Sequence, residues 1–550
     1  MAIRQDCSSP CTNLSVPARA RSRRAAGGPG GCDPIDRHNP QGDTCVNGNI
    51  LATFLDGARN AGDKPFLIED GRTVLSFAEL DRATGRLAAR LAALGGAAGE
   101  RIVVQVEKSP ENVLLYLAAQ RLGLVYVPLN TAYTAGELEY FLGDAAPVIV
   151  VCRPADVGTV RPLAGSARVV TLGADGTGSL LEDMPDAVVP VALRLPTDLA
   201  AILYTSGTTG RSKGAMLTHR NLLSNAETLR DLWRWSADDV LIHILPIYHV
   251  HGLFVALHGA LLAGASVLFH RGFDPAAVIA DMARATVLMG VPTHYTRLAS
   301  APGISPAACA HMRLFLSGSA PLLAEAHERF TAATGHHILE RYGMTETGMI
   351  TSNPYDGERV AGTVGYALPG EDVRVIGEDG QPAAPGEPGV LEVRGPNVFA
   401  GYWRKPDKTA EDMRPDGFFV TGDIATMAAD GRITLVGRAK DLIIAGGLNI
   451  YPKEIEEAID ALPGVEESAV IGVPHADLGE AVVAVVVPEP GAAIDPQAIE
   501  AGLAGRLARF KQPRSIEIVA ALPRNAMGKV QKAELRKTYG GLFVSQGGMA

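Results

Sequence analysis

The segment Tyr204-Thr205-Ser206-Gly207-Thr208-Thr209-Gly210-Arg211-Ser212-Lys213-Gly214 follows an apolar, strand-like run at residues 199–204. Its three glycines let the backbone bend with N–H groups turned inward, and five Ser/Thr hydroxyls and one lysine add donors. Such a loop suits an anion with several oxygens, above all a polyphosphate. No Gly-Lys-Ser/Thr closes it, so it is not a Walker A loop. Taken alone, the same composition also suits a flexible Ser/Gly connector.

Outward from this loop the chain alternates strand-like and helical segments. Residues 101–106 and 148–151 are short β-branched runs, and residues 81–94 carry apolar side chains at helical spacing. Thr218 is placed to cap a helix with Leu222, Leu223, Ala226, Leu229, Leu232 and Trp233 on one face. The strand–helix rhythm predicts an α/β body with parallel sheets. Residues 362–401, rich in Gly, Pro and Val, read as a small β-rich subdomain. The last hundred residues read as a separate α+β module. Pro452 stands at the first position of a helix that shows Ile455, Ile459 and Leu462 on one face. Strands at 468–473 and 481–487, a helix at 496–509 and a strand at 516–519 follow. The expected organisation is an extension at 1–48, a large domain at 49–440 and a small mobile lid at 441–545.

The extension has no apolar period and cannot offset its ordering entropy, so it reads as disordered. Four of the six cysteines (Cys7, Cys11, Cys32, Cys45) lie in it, leaving Cys152 and Cys309 for the body. A secreted disulfide framework would staple the body, so the chain reads as cytoplasmic. The tail cysteines match no paired zinc spacing. Lys plus Arg is 50 against 60 Asp plus Glu, a net charge of −10. That balance disfavours a general affinity for nucleic acid or anionic membrane. The uncharged stretch 252–269 has histidine and glycines inside it. It reads as a buried helix ending at Gly264 and a short strand at 266–269, not as a membrane span.

Further polar clusters lie downstream: Ser317-Gly318-Ser319-Ala320-Pro321, Glu340-Arg341-Tyr342-Gly343-Met344-Thr345-Glu346-Thr347, Thr421-Gly422-Asp423, Gly437-Arg438-Ala439-Lys440-Asp441, and Asn525-Ala526-Met527-Gly528-Lys529. In this order and spacing, over about residues 49–539, they resemble the adenylate-forming superfamily. Within it, Val127-Pro128-Leu129-Asn130-Thr131-Ala132, Leu245-Pro246-Ile247-Tyr248-His249-Val250-His251-Gly252, Val291-Pro292-Thr293-His294-Tyr295-Thr296-Arg297 and Ser352-Asn353-Pro354-Tyr355 look closest to malonyl-CoA synthetases.

The resemblance implies that a carboxylic acid is joined to the α-phosphate of ATP, releasing pyrophosphate, and that coenzyme A then displaces AMP. It implies roles by motif. Thr205, Ser206, Gly207, Thr208, Thr209, Gly210 and Lys213 would hold the β- and γ-phosphates. Glu346 and Thr205 would contact Mg2+, which favours a few oxygens plus phosphates. Gly318, Ser319, Ala320, Glu340, Arg341 and Tyr342 would frame adenine, and Thr345 would reach the α-phosphate. Asp423 would take the ribose hydroxyls, supported by Arg438. Lys529 would bridge substrate carboxylate and α-phosphate. Asp441 would be the hinge of the lid, with Lys440, Gly446 and Gly447 at the coenzyme A path. His249 would gate the acid pocket, with His251 close by.

Arg297 resembles the arginine that pairs with the second carboxylate of malonate, a geometry guanidinium suits. Leaving one partner of a buried pair alone costs about 3–5 kcal/mol. That is roughly two to four decades in rate. Gly348 and Ile350 replace larger or polar residues after the Glu346 motif, a change that would widen the pocket toward methylmalonate. The alternatives are a ligase for another short-chain or aromatic acid, and an adenylation partner of a carrier protein. No carrier-attachment motif follows Lys529.

Overall fold

The structure is a computed structural model that describes residues 47–205, 212–320, 322–445, 448–475, 478–504, 506–507, 509–525 and 529–543. Through residue 46, the expected disordered extension lies outside the described residues. Asn47 and Gly48, assigned to that extension, already belong to the body. Asn47 donates to the Ala192 carbonyl, and the Gly48 amide donates to the Arg194 carbonyl.

Among the described residues the strands form four sheets. The first has nine strands. Its interior runs parallel in the order Leu339–Met344, Leu314–Ser317, Val287–Gly290, Val240–His243, Ser266–Phe269, Pro65–Glu69. Arg72–Ser76, Gly348–Ser352 and Tyr366–Ala367 close its edges antiparallel. The second has six strands: Arg168–Thr171, Ile149–Cys152, Arg101–Gln105, Val125–Pro128 and Leu199–Thr205 in parallel, then Lys213–Thr218 antiparallel. Most of the parallel strands have apolar, buried centres, as strands of sheets covered on both faces do. A four-stranded antiparallel sheet spans Asp372–Ile376, Pro388–Arg394, Phe419–Met427 and Ile433–Arg438. This is the β-rich subdomain, and it extends beyond the expected 362–401.

Local chemistry explains the boundaries near the cleft. Thr218 caps the helix His219–Leu232 by accepting from the Asn221 amide, and Asn221 reciprocates. The stretch 252–269 resolves into Leu257–Ala263, stopped at Gly264 in the left-handed conformation, and the strand Ser266–Phe269. Sequence periodicity did not reveal that the chain enters this helix through a π-helical turn, His251–Ala256. Such turns recur at functional sites because they re-aim side chains.

The C-terminal module is a sheet of Leu448–Ile450, Ile443–Ala445, Gly479–Pro488 and Val465–His475, with Ser515–Ile518 joining parallel to Gly479–Pro488. The helix Pro452–Asp460 buries Ile455 and Ile459 against it. The helix expected at 496–509 ends at Leu503, because Ala504 turns to an extended conformation between Gly502 and Gly505. Lys453 Nζ ties this module to the four-stranded sheet by donating to the Leu435 carbonyl at 2.6 Å, and within the module Arg536 pairs with Asp441 at 2.8 Å. Among the described residues no helix is long and apolar enough to cross a membrane.

Candidate active site

The catalytic motifs converge where the parallel strands of the two large sheets end, the crevice in which open α/β sheets bind ligands. Thr205 ends one strand and Lys213 opens the next. The two face each other in the antiparallel register. Ser206, Gly207, Thr208, Thr209 and Gly210 lie outside the described residues. Thr205 Oγ1 donates to Glu346 Oε1 at 3.4 Å, and Tyr402 OH donates to the same oxygen at 3.1 Å. Lys213 Nζ sits 3.5 Å from Asp412 Oδ2 and 4.0 Å above the Tyr402 ring. Glu346 is 5% exposed. Burial raises its pKa, against the pull of its own backbone N–H, Tyr402, Lys213 and Arg438. Thr345, beside it, lines a small cavity with Asn221, Asn225, Gly348 and Asn397.

A second group lies at the mouth of the C-terminal module. Asp423 is 4% exposed and uses both carboxylate oxygens: Arg438 Nε lies 2.6 Å from Oδ1, and Tyr342 OH donates to Oδ2. Each oxygen keeps a second lone pair for an incoming hydroxyl. Burial raises the Asp423 pKa, with Arg438 opposing. Desolvation works against the Arg438 charge, yet Asp423, Tyr342, Glu346 and Asp441 together hold its pKa up.

Lys529 donates through its amide to Asn525 Oδ1 at 3.0 Å. It keeps solvent access while cleft walls crowd its ammonium. That crowding lowers its pKa; Arg438 and Lys440 add to the effect, and Asp423 and Glu346 oppose it. Lys440 is exposed, and its pKa is also lowered, mainly by partial burial. Gly446 and Gly447 lie outside the described residues.

The Glu340 carboxylate lies 3.4 Å from His327 Nδ1 and accepts from the Gly362 amide at 3.2 Å. Gly318 is buried, Ser319 holds a left-handed φ of 70°, and Ala320 is exposed at the cleft.

Arg341, expected beside adenine, occupies the deepest part of this region. It is 3% exposed, and Nε and Nη2 have no acceptor. A Cβ at Gly318 would stand 2.1 Å from its Nη1, so glycine there leaves the guanidinium its space. Burial pushes Arg341 down to about 9, which leaves it charged at neutral pH. Beside it are the histidines. His251 is buried, its Nδ1 3.2 Å from Ser319 Oγ and its Nε2 without a partner. The His251 amide donates to His249 Nδ1 at 3.3 Å, so the His249 proton sits on Nε2. Burial, reinforced by Lys529 and Arg341, lowers His249 to about 3. His249 is therefore a neutral N–H donor, not a base.

Arg297 is exposed, its guanidinium 4.9 Å from the Phe273 ring centroid. Gly348 has a structural reason to be glycine: its φ is +62°, and a Cβ would stand 2.6 Å from Asn225 Oδ1. Ile350 is fully buried in the main core. Neither residue therefore marks a widened pocket. On the far side of residues 244–248 a cavity of about 390 Å³ is lined by Glu107, Lys108, Asn112, Thr131, Tyr248 and Arg271 together with apolar side chains. Sequence reading missed Tyr402, Asp412 and Asn225. The one available signal was Asn221 and Asn225, polar residues one turn apart on an otherwise apolar helix face.

The AMP-binding enzyme model matches residues 54–403, and the AMP-binding enzyme C-terminal domain model matches residues 454–529. The chain is 38% identical over 478 residues to a feruloyl-CoA synthase of Amycolatopsis sp, covering 86% of this chain and 96% of the relative. It is 38% identical over 485 residues to a sulfoacetate–CoA ligase of Cupriavidus necator, covering 86% and 94%. It is 36% identical over 485 residues to the mitochondrial malonate–CoA ligase of Mus musculus, covering 80% and 81%. Among solved structures, ATP-bound MatB from Rhodopseudomonas palustris is 54% identical with a TM-score of 0.88, covering 90% of this chain and all of that one; the apo form of the same protein gives 0.77. A malonyl-CoA ligase bound to methylmalonyl-CoA and AMP is 39% identical, covering 84% and 97%, with a TM-score of 0.61. With both models matched across a cleft that gathers their motifs, the chain belongs to the AMP-binding enzyme family and is an AMP-forming acid–CoA ligase.

Proposed function

We propose that the acid is malonate. The observation that carries this reading is Arg341: a buried cation with two free N–H donors and no carboxylate partner among the described residues. Such a charge is tolerated when a ligand supplies the missing anion, and guanidinium binds carboxylate through two parallel bonds. Ser319 and His251, bonded to each other, add polar groups beside it. The second carboxylate of a small diacid would dock here while the first meets Lys529. Relatives that act on malonate and on sulfoacetate, both small acids with a second anionic group, support the assignment. Arg297, exposed on its helix, becomes a rim residue, and Arg341 moves from the adenine frame to the acid.

Adenylation brings two anions together, so fixed positive charge and donors provide most of the rate enhancement. Lys529 would bridge the reacting carboxylate and the α-phosphate, with Thr345 beside it. Asp423, ordered by Arg438 and Tyr342, would receive the ribose hydroxyls. Lys213 and the 205–213 loop would hold the departing pyrophosphate.

Among the described residues no cluster of three or more His, Cys, Asp or Glu could cage a metal. One buried carboxylate beside one hydroxyl, Glu346 and Thr205, fits Mg2+, which keeps waters and phosphates as its other ligands. When bound, Mg2+ would neutralise phosphate charge.

Coenzyme A would approach through the 390 Å³ cavity. The thiol proton would pass to solvent as sulfur bonds the acyl carbon and AMP leaves. The higher TM-score with ATP-bound MatB than with the product complex supports an adenylation arrangement of the lid here and a rotated one for thioester formation. Asp441, paired with Arg536, is the proposed pivot. Asp441→Pro should retain pyrophosphate exchange and lose thioester release. The cysteine distribution supports a cytoplasmic setting.

The test offers malonate, methylmalonate, acetate, sulfoacetate and ferulate separately with ATP, Mg2+ and coenzyme A, and weighs the thioesters. Malonyl-CoA as the product of highest kcat/KM supports the reading; preference for ferulate or acetate overturns it.

A further inference from the structure

Three side chains from distant parts of the chain hold the loop of Thr345 and Glu346 from behind. Asn225 binds both backbone groups of Met349, donating to its carbonyl at 2.9 Å and accepting from its amide at 3.0 Å. Asn397 donates to the carbonyls of Thr347 at 2.8 Å and Met349 at 3.2 Å. The Glu371 side chain lies against both asparagines, and its Cγ and Asn397 Oδ1 both flank Gly395. Asn221 ties the same helix to the carbonyls of Pro396 and Val398 at 2.8 Å, and the Phe399 amide donates to the Glu346 carbonyl.

The donors and acceptors do not balance if Glu371 is ionised. Glu371 Oε2 and Asn397 Oδ1 are both sealed from solvent and both lack a donor. One proton on Glu371 supplies the donor the cluster needs. The nearby charges are engaged elsewhere. Asp372 pairs with Arg394, Glu392 pairs with Arg374 and Arg414, and on the helix Arg230 pairs with Asp231. Glu346 faces Thr205 and Tyr402. Burial accordingly pushes Glu371 up to about 9.

We propose that Glu371 is a positioning residue: a neutral carboxylic acid whose proton completes the Asn225–Asn397 network, so that the 345–349 loop presents Thr345 and Glu346 to the nucleotide. Ionisation leaves facing acceptors and loosens the loop. This role rests on adenylation, which the family shares, and not on which acid is used.

Infrared spectra of the wild-type protein and Glu371→Gln near neutral pH read the proton directly. A protonated-carboxyl band present in the wild type and missing in the variant is expected; its absence from the wild type overturns the proposal. ATP–pyrophosphate exchange, run with whichever acid turns over, reads the consequence. Both proteins share the alkaline limb of Lys529, so the ratio of wild-type to variant rate is the measure. It should fall about tenfold from about pH 8 to about pH 10, following the neutral fraction of a carboxyl titrating near 9. A constant ratio overturns the proposal. Glu371→Ala, which cannot donate, should be slow throughout, and rescue by Gln separates donation from packing.

Linkage gives a readout independent of activity. The folded protein holds a proton that the unfolded chain loses near its ordinary carboxyl pKa. Wild-type stability therefore falls as pH rises through the window up to about 9. Glu371→Gln lacks that slope, so its melting temperature should gain on the wild type across the window. Parallel melting curves overturn the proposal.

Discussion

Arg341 and Arg438 stand in one cleft and present opposite solutions to a buried charge. Arg438 is completed by the protein: Asp423 lies 2.6 Å away, and the pair is joined by Tyr342. Arg341 is deeper and has no such partner, and two of its N–H groups point at no acceptor. Breaking a buried pair is expensive, whereas a pair left incomplete destabilises the empty protein and strengthens the liganded one. On the proposed reading, the first arrangement would serve the neutral hydroxyls of ribose and the second the anion of the acid. The contrast would then separate a nucleotide site that is finished before binding from an acid site that binding finishes.

The sharpest way to break the comparison is Arg341→Met. With the ligand's carboxylate unpaired, kcat/KM for malonate should fall by roughly two to four decades, corresponding to about 3–5 kcal/mol. ATP binding should persist. The melting temperature of the apo variant should rise, because an unpaired buried charge has been replaced by a side chain of similar volume. A stable variant that still prefers malonate over acetate would end the acid-site reading.

Lys529 tests the same idea with a cation that keeps solvent access. Lys529→Ala should slow adenylation by about two to three decades, as expected when one donor to developing charge is removed. Its pKa is lowered, so the wild-type exchange rate should decline as pH rises past a value below that of a free lysine. Lys529→Arg should move that decline to higher pH. Thioester formation from pre-made acyl-adenylate should be far less affected by either change. Equal loss in both half-reactions would make Lys529 structural.

Much of this cleft was legible in the sequence, and the exceptions have physical causes. Thr218, Gly264 and Pro452 carry local capping and stop chemistry, so their elements appear where local signals put them. Thr205, Glu346, Asp423 and Arg438 were named through the resemblance their motifs carry, and the structure pairs Thr205 with Glu346 and Asp423 with Arg438. The π-helical turn at His251–Ala256 was hidden, since periodicity assumes regular helix spacing. Arg341 was assigned by its motif neighbours, but strand alternation separates it from Tyr342 and aims it elsewhere. Glu340 shares the face of Tyr342, but its carboxylate is taken up by His327 and the Gly362 amide. Asn225, Glu371 and Asn397 meet only after three distant segments pack, which no local pattern reports.

A smaller effect sharpens the paired side of the comparison. Asp423→Asn leaves Arg438 without its carboxylate and weakens the acceptor for ribose. Loss of a charge-assisted hydrogen bond is worth about 1.5–3 kcal/mol, so KM for ATP should rise by roughly one to two decades. Stability should fall, opposite in sign to Arg341→Met. Arg438 is 36% exposed at its side chain, which discounts the stability loss for solvent screening. If the two variants shifted the melting temperature in the same direction, the distinction between finished and unfinished sites would fail.

The smallest expected effect belongs to Arg297→Ala. The guanidinium lies on Phe273 at the surface, where a cation–π contact contributes about 0.5–1 kcal/mol. High dielectric at such a position weakens its pull on any carboxylate. Malonate kcat/KM should therefore change by less than about tenfold, and most of the change should disappear at high salt, because surface charges are screened. Arg341 loss should be insensitive to salt. The two arginines compete for one role, so measuring them together is decisive. A salt-independent loss in Arg297→Ala as deep as that in Arg341→Met would mean that the helix Pro292–Ala299 turns its arginine inward when the acid binds, and both cations would then hold the same carboxylate.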